Sequence, residues 1–323
     1  MTAPLRGPAG GGGPTLRQRE SRLGWVLISP TLVVVLVAVV GPILWTIGIS
    51  FQRLRLRTLS ETGLFTTDFS LDSFVAVVNA RGFWDAIWVT LVYSVVGTAL
   101  AIGLGLVAAL IVRHPFRGRT FVRASMLLPY IAPVVAVTFV WTTMLDPNLG
   151  IINALGREWL GWEEPIPFLS QRSRSIEILG FEARIPLALI TVIVFQAWRY
   201  FPFAFLFILA RLQALPGEPE EAAKVDGATP IQRFRYVILP QLAGVIALLA
   251  VLRFIWTFNE FDDIYLLTGG GGGTEVVSVR IYENLIGRGD LSSAAALSLI
   301  LAASLAVLLF VYFRFAQPRG VRV

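Results

Sequence analysis

The stretch "AIWVTLVYSVVGTALAIGLGLVAALIV", Ala86–Val112, runs for 27 residues without a charged side chain. A helix of about 20 apolar residues crosses the hydrocarbon core of a bilayer, so the run reads as a transmembrane helix. Strands do not compete for it, because backbone in lipid must be satisfied within a helix or a closed barrel. Outward from it, five more apolar runs obey the same rule: Trp25–Ile49, Ala124–Leu145, Ile185–Ala210, Leu242–Thr268 and Ala294–Phe313. The expected fold is an all-α polytopic membrane protein with six transmembrane helices over residues 25–313.

Composition agrees. Of 323 residues, 55% are hydrophobic and 15% charged, against roughly 25% charged in a soluble domain. Mean hydropathy is +0.71. The absence of Cys excludes disulfides, thiolate metal sites and cysteine nucleophiles. A single His, His114, argues against histidine metal clusters and catalytic triads. The net charge of +6 invites a nucleic-acid reading, but its distribution points to membrane orientation instead. An even number of spans puts both termini on one side. Fifteen Lys and Arg fall in the N-terminal segment, the second–third loop, the fourth–fifth loop and the tail, against ten in the other, longer loops. The positive-inside rule then makes both termini cytoplasmic. Residues 1–24, rich in Gly, Pro and Arg, are expected as a disordered N-terminus, and residues 314–323 as a cytoplasmic tail. The first apolar run is too long for a signal-peptide core and lacks a small-residue cleavage site, so an uncleaved helix is expected.

The fourth–fifth loop, residues 211–241, carries "EAAKVDGATPIQRFRYVILP" from Glu221 to Pro240. Glu218, Glu220 and Glu221 lie in a first helical turn, where carboxylates complement the helix dipole. Ala222, Ala223 and Lys224 are strong helix formers, and Gly227 supplies a left-handed residue that ends the helix. Thr229 and Gln232 have capping-box spacing, with Pro230 at the first position of a second helix. Pro240 is expected to break that helix before the next span. Two short helices and a sharp turn at the inner membrane surface form either an ordinary amphipathic connection or a knob for a partner's groove.

Glu221, Ala222, Ala223, Asp226, Gly227, Ala228, Phe234 and Pro240 fall on the EAA pattern. The stretch resembles the EAA loop of membrane subunits of binding-protein-dependent ABC importers. "DPNLGIINALG" after the third span and "FNEFDDIYLLTGGGG" at the end of the fifth are similar to the sugar-permease branch, the maltose, lactose and glycerol-3-phosphate type. The resemblance covers most of the chain from Asp72 onward. It implies a permease subunit in a bacterial inner membrane, paired with a second homologous permease. It also implies two ABC ATPase subunits seated on the EAA loops and an external solute-binding protein delivering a sugar or polyol. ATP and Mg would be bound by the ATPase, with Glu221 in polar contact there and Gly227 setting the turn. The family usually has Pro after its Gly pair; here Gly269–Gly273 are five glycines, expected to loosen the loop.

The chain carries no enzyme signature. A phosphate-cradling loop needs Gly-Lys-Ser/Thr, and the one Lys, Lys224, follows Ala223. Asp262 and Asp263 are adjacent, so on a helix they point about 100° apart and make a poor catalytic pair. Charges inside spans usually face a cavity or a partner. Arg253, Trp256, Asn259, Glu260 and Asp263 share one expected face of the fifth span, with Arg253 mid-bilayer. Gln196, Trp198, Arg199 and Tyr200 sit in the fourth. Arg199 and Arg253 either lock helices or line a water-filled path. Trp256, Asn259 and Glu260, with Arg253, Trp198 and Tyr200, suit sugar recognition: aromatic faces for C–H surfaces, amide and charged groups for hydroxyls. The alternatives are a secondary carrier or channel without an ATPase, and a membrane-anchored receptor or scaffold.

Overall fold

A computed structural model describes residues 16–58, 69–178 and 181–316. Residues 1–15 of the expected disordered N-terminus and residues 317–323 of the tail lie outside the described residues. From Leu16 onward the chain is already helical, which corrects the expectation for residues 16–24. Leu, Arg, Gln and Glu there are good helix formers, and no Gly intervenes before Gly24.

In chain order, α1 (Glu20–Ser50), α2 (Asp72–Val78) and α3 (Phe83–Ile111) lead to a bent pair, α4 (Arg119–Ile131) and α5 (Val134–Met144). Then come α6 (Ile151–Leu160) and a hairpin of β1 (Arg174–Ile178) and β2 (Phe181–Ile185). They are followed by α7 (Leu187–Gln213), α8 (Glu218–Val225) and α9 (Pro230–Phe258). The chain closes with α10 (Asp262–Thr268), α11 (Val277–Tyr282) and α12 (Leu291–Arg314). Among the described residues, α1, α3, α7, α9 and α12 are long and apolar enough to cross a membrane; α4 with α5 makes six only if the pair counts as one span.

Three expectations change. The third span is not one helix over Ala124–Leu145, because α4 and α5 meet at 94°. Pro133 disfavours the helical conformation at its predecessor, and Ala132 is extended at ψ 141°. Conversely, Pro240 does not end the second loop helix, and α9 runs unbroken from Pro230 through the fifth span. A wide π turn over Phe234–Ile238 absorbs the proline, with Leu239 N–H donating to the Phe234 carbonyl. At its far end the expected Leu242–Thr268 span breaks: α9 stops at Phe258 and α10 restarts at Asp262. The all-α reading also missed the hairpin, in which Arg174 pairs with Ile185 and Ile178 with Phe181, antiparallel. Its signal was present in "RSIEI" and "FEARI", where apolar and polar residues alternate with the strand period of two.

Helix α3 packs along α7 and is crossed by α9. One apolar core joins Ala108 and Ala109 of α3, with Val112 capping its end, to Phe205 and Ile208 of α7 and to Leu242 and Leu249 of α9. A second surrounds Tyr93, Val192, Phe195 and Ile264. A third gathers Phe83, Phe258, Val277 and Leu297. Helix α12 packs on the end of α1 and on α2 and α11. Most of α1 is exposed, with Val26, Leu27 and Val37 outward, as an apolar helix in lipid requires no polar covering.

The five-glycine loop is packed rather than loose. Gly269, Gly270, Gly272 and Gly273 have φ between 61° and 83°. The Thr268 and Thr274 hydroxyls meet at 2.6 Å across the turn, and Thr274 is fully buried. A Cβ on Gly272 would lie 2.9 Å from Ala188 Cβ and 3.0 Å from the Leu169 carbonyl oxygen. Glycine serves here for close approach and a left-handed backbone. Gly272→Val should therefore cost about 2 kcal/mol or more. The expected readout is a lower unfolding temperature of the detergent-solubilised protein; an unchanged transition would show that the loop gives way.

Candidate coupling surface and intramembrane polar site

The knob forms as its local code dictates. At the end of α8, the Ala228 N–H donates to the Ala223 carbonyl at 2.9 Å and the Gly227 N–H to the Lys224 carbonyl at 3.1 Å. Gly227 is left-handed at φ 78°. Together these are the two bonds and the backbone conformation of a Schellman cap. Thr229 N–H donates to Gln232 Oε1 at 2.8 Å and Gln232 N–H to Thr229 Oγ1 at 3.3 Å, closing the capping box that starts α9. Glu221, Ala222, Asp226 and Gly227 are exposed on this knob, and Ala223 and Ala228 are half-buried. Phe234 instead packs inward against the α3–α7–α9 core, and Pro240 is an exposed residue within α9. The sequence reading missed Val225 and Ile231, which stand 88% and 77% exposed on either side of the turn. Their signal was an isolated branched apolar residue on each side of a capped polar turn.

Glu220, not Glu221, ties the knob to the rest of the chain. Its carboxylate is paired with Arg113, just past the end of α3, and lies 3.5 Å from Arg233 at the start of α9. Partial burial pushes the Glu220 carboxyl up. The Arg113 hydrogen bond and the charges of Arg113, Lys224 and Arg233 outweigh this and hold it below the usual glutamate range. The pairing is therefore present at neutral pH and is lost only as pH falls through that lowered value. Arg119 of α4 donates to the Val112 and Arg113 carbonyls, both at 2.8 Å, and Arg123 donates to Val112 at 3.1 Å. Those bonds satisfy carbonyls that the end of a helix leaves open.

Within the bundle, Arg199 of α7 pairs with Asp263 of α10, whose side chain is fully buried. Asp262 is exposed, so the two adjacent carboxylates diverge. Tyr200 donates its hydroxyl to Glu260 at 3.2 Å. Arg253 is buried, with its guanidinium 3.9 Å from the Tyr200 ring centroid and 5.8 Å from that of Trp256. Thr257 Oγ1 accepts from Arg253 at 3.1 Å and from Gln196 Nε2 at 3.0 Å. Arg253, Trp256, Tyr200 and Glu260 thus come together as the sequence proposed.

Two candidates do not join them. Trp198 turns to Trp141 and Phe195, at 5.5 and 6.3 Å between ring centroids. Asn259 lies beyond the end of α9 and donates back to the Ile255 carbonyl at 2.8 Å, so the single helical face expected from Arg253 to Asp263 is broken. In their place stand Phe203, edge-on to Trp256 at 5.2 Å, and Tyr130, 6.2 Å from Tyr200 and 6.1 Å from Phe203. Trp256 is 47% exposed and Tyr130 40%, so this aromatic wall is open along one side. Tyr130 could not be foreseen, because the bend that positions α4 was not.

A polytopic helical chain with a capped helix pair projecting between two spans, and charges enclosed within its bundle, is a membrane permease. The chain belongs to the family described as binding-protein-dependent transport system inner membrane component, which matches residues 101–321, and is a permease subunit of an ABC importer. It is 34% identical over 276 residues to the inner membrane ABC transporter permease protein YcjO of Escherichia coli (strain K12), covering 85% of this chain and 88% of that one. It is 32% identical over 309 residues to the trehalose/maltose transport system permease protein MalF of Thermococcus litoralis, covering 94% and 97%. Its fold is similar to that of a chain in a bacterial ABC transporter importing the acidic polysaccharide alginate. There the TM-score is 0.74 and the identity 23%, over 93% of this chain and 98% of that one. These relatives are transport permeases rather than enzymes.

Proposed function

We propose that this chain is a carbohydrate-translocating permease that works with a second homologous permease, two ABC ATPase subunits and an external solute-binding protein. The knob carries this reading. It is doubly capped and presents Val225 and Ile231 at its surface. Rigid exposed apolar prongs suit insertion into a partner's groove. The ATPase would seat there, with Glu221 and Asp226 at the rim. The sequence has no Gly-Lys-Ser/Thr loop to cradle phosphates, which supports placing ATP and Mg on that partner. The excess of Lys and Arg in the loops on the knob's side supports cytoplasmic termini. It also supports a permease domain over residues 25–313 with its coupling loop at 211–241.

The cargo is a sugar or related polyol. MalF of Thermococcus litoralis is named for trehalose and maltose, and the open aromatic wall of Trp256, Phe203, Tyr200 and Tyr130 suits sugar C–H faces. Arg253 and Glu260 beside it suit hydroxyls. Alternating access follows from two linked sites. ATPase closure moves the knob, α9 carries that motion through the membrane without a break, and the path around Trp256 opens to the other side.

The test uses the full complex. Wild-type chain should co-purify an ABC ATPase and support ATP-dependent uptake in reconstituted vesicles; a carrier or channel would transport without one. Gly227→Val forces a β-branched residue into φ 78°, at a cost of about 1–2 kcal/mol. It should insert normally but lose most ATPase association. Unchanged association and uptake would remove the knob from coupling.

A further inference from the structure

Helix α8 reaches the membrane-spanning body covalently in two places: through residues 214–217 to α7, and through the Gly227 turn to α9. Helices α3 and α4 have no such link, yet α3 packs along α7 and against α9 in the bundle. Their polar connection to α8 is Glu220. One carboxylate oxygen engages Arg113 beyond α3 and the other faces Arg233 of α9. Arg113 is itself held, because its carbonyl and that of Val112 accept from Arg119 and Arg123 of α4. The carboxylate and both guanidiniums are each about one-fifth exposed, so the pair is less screened than a free surface contact. Below it lies the apolar core that includes Val112, Phe234 and Ile238.

We infer that Glu220 is a positioning residue that clamps α8 to the ends of α3 and α4, so that movement of the knob is passed sideways into these helices as well as along α9. This rests on the reading of the knob as the ATPase seat. Without the clamp, the knob can follow the ATPase while α3 and α4 lag. Hydrolysis then continues with fewer productive reorientations.

The experiment measures ATPase co-purification, ATP hydrolysis and uptake on the reconstituted complex. Glu220→Gln and Arg113→Gln should each retain the bound ATPase and lower uptake per ATP hydrolysed by about threefold, the scale of a part-exposed ion pair. A role in stability alone would lower the amount of complex and leave that ratio alone. A second arm uses the absence of native cysteines. Joining Arg113→Cys to Glu220→Cys with a short bis-maleimide should restore the ratio, because a covalent tie replaces the clamp. An unchanged ratio in both glutamine variants overturns the inference, as does loss of uptake on cross-linking while the ATPase stays bound. Absence of an ATPase from wild-type preparations would overturn the docking reading first, and the clamp with it.

Discussion

Asp263→Ala is expected to destabilise the protein by about 3–5 kcal/mol, because it leaves the Arg199 guanidinium without its carboxylate inside the bundle. Asp263 is fully buried and Arg199 is 13% exposed, so water replaces the lost partner less readily than it would at the surface. The loss should appear as a much lower unfolding temperature in detergent and poor recovery of the chain. Replacing both residues by Leu removes the stranded charge along with its partner. That double variant should be distinctly more stable than Asp263→Ala, since apolar pairs of similar volume often match a buried ion pair. A single variant as stable as wild type would show that the pair does not hold α7 to α10. If the double variant is stable but inactive, the pair also serves the path, which the aromatic wall beside it would explain.

Trp256→Ala should leave the fold and ATPase association intact while lowering uptake at limiting substrate. Trp256 is nearly half exposed, touches Phe203 edge-on and lies beside the buried Arg253. Losing a stacking platform and leaving a neighbouring polar group unpaired is worth ~1–3 kcal/mol of binding, or about 5- to 150-fold in affinity. Trp198→Ala is the contrast. Its ring packs with Trp141 and Phe195 in the second apolar core, so it should cost stability before it costs uptake. Wild-type uptake by Trp256→Ala at limiting substrate would remove this wall from the path. Equal loss of uptake in both variants, with both stable, would place the path between the two tryptophans.

The two tryptophans also show where reading the sequence stops. Both lie in apolar spans within three residues of an arginine and of an amide side chain, so that local pattern does not separate them. Trp198 follows the rotation of α7 against α5, and Trp256 that of α9 against the other side of α7. Helix rotation is set by packing between segments far apart in the chain. The same holds for Arg199 with Asp263, which are 64 residues apart, and for Tyr200 with Glu260, which are 60 apart.

The sequence by itself determined the five long apolar helices and the knob. Length and hydropathy decide whether a segment enters lipid, and caps are interactions among residues three to five apart. Thr229 with Gln232, Lys224 with Gly227, and Ala223 with Ala228 meet as soon as their helices form. Only the tertiary structure decided what each proline does: Pro133 turns the chain by 94°, while Pro240 is carried inside a continuous helix. Both lack the same N–H. The outcome depends on whether neighbouring helices hold the chain straight enough for a π turn to absorb the ring. Likewise, five glycines in a row leave the isolated chain free in conformation. It is Ala188 and the Leu169 carbonyl, pressing within about 3 Å of where a side chain on Gly272 would begin, that make the loop a packed turn.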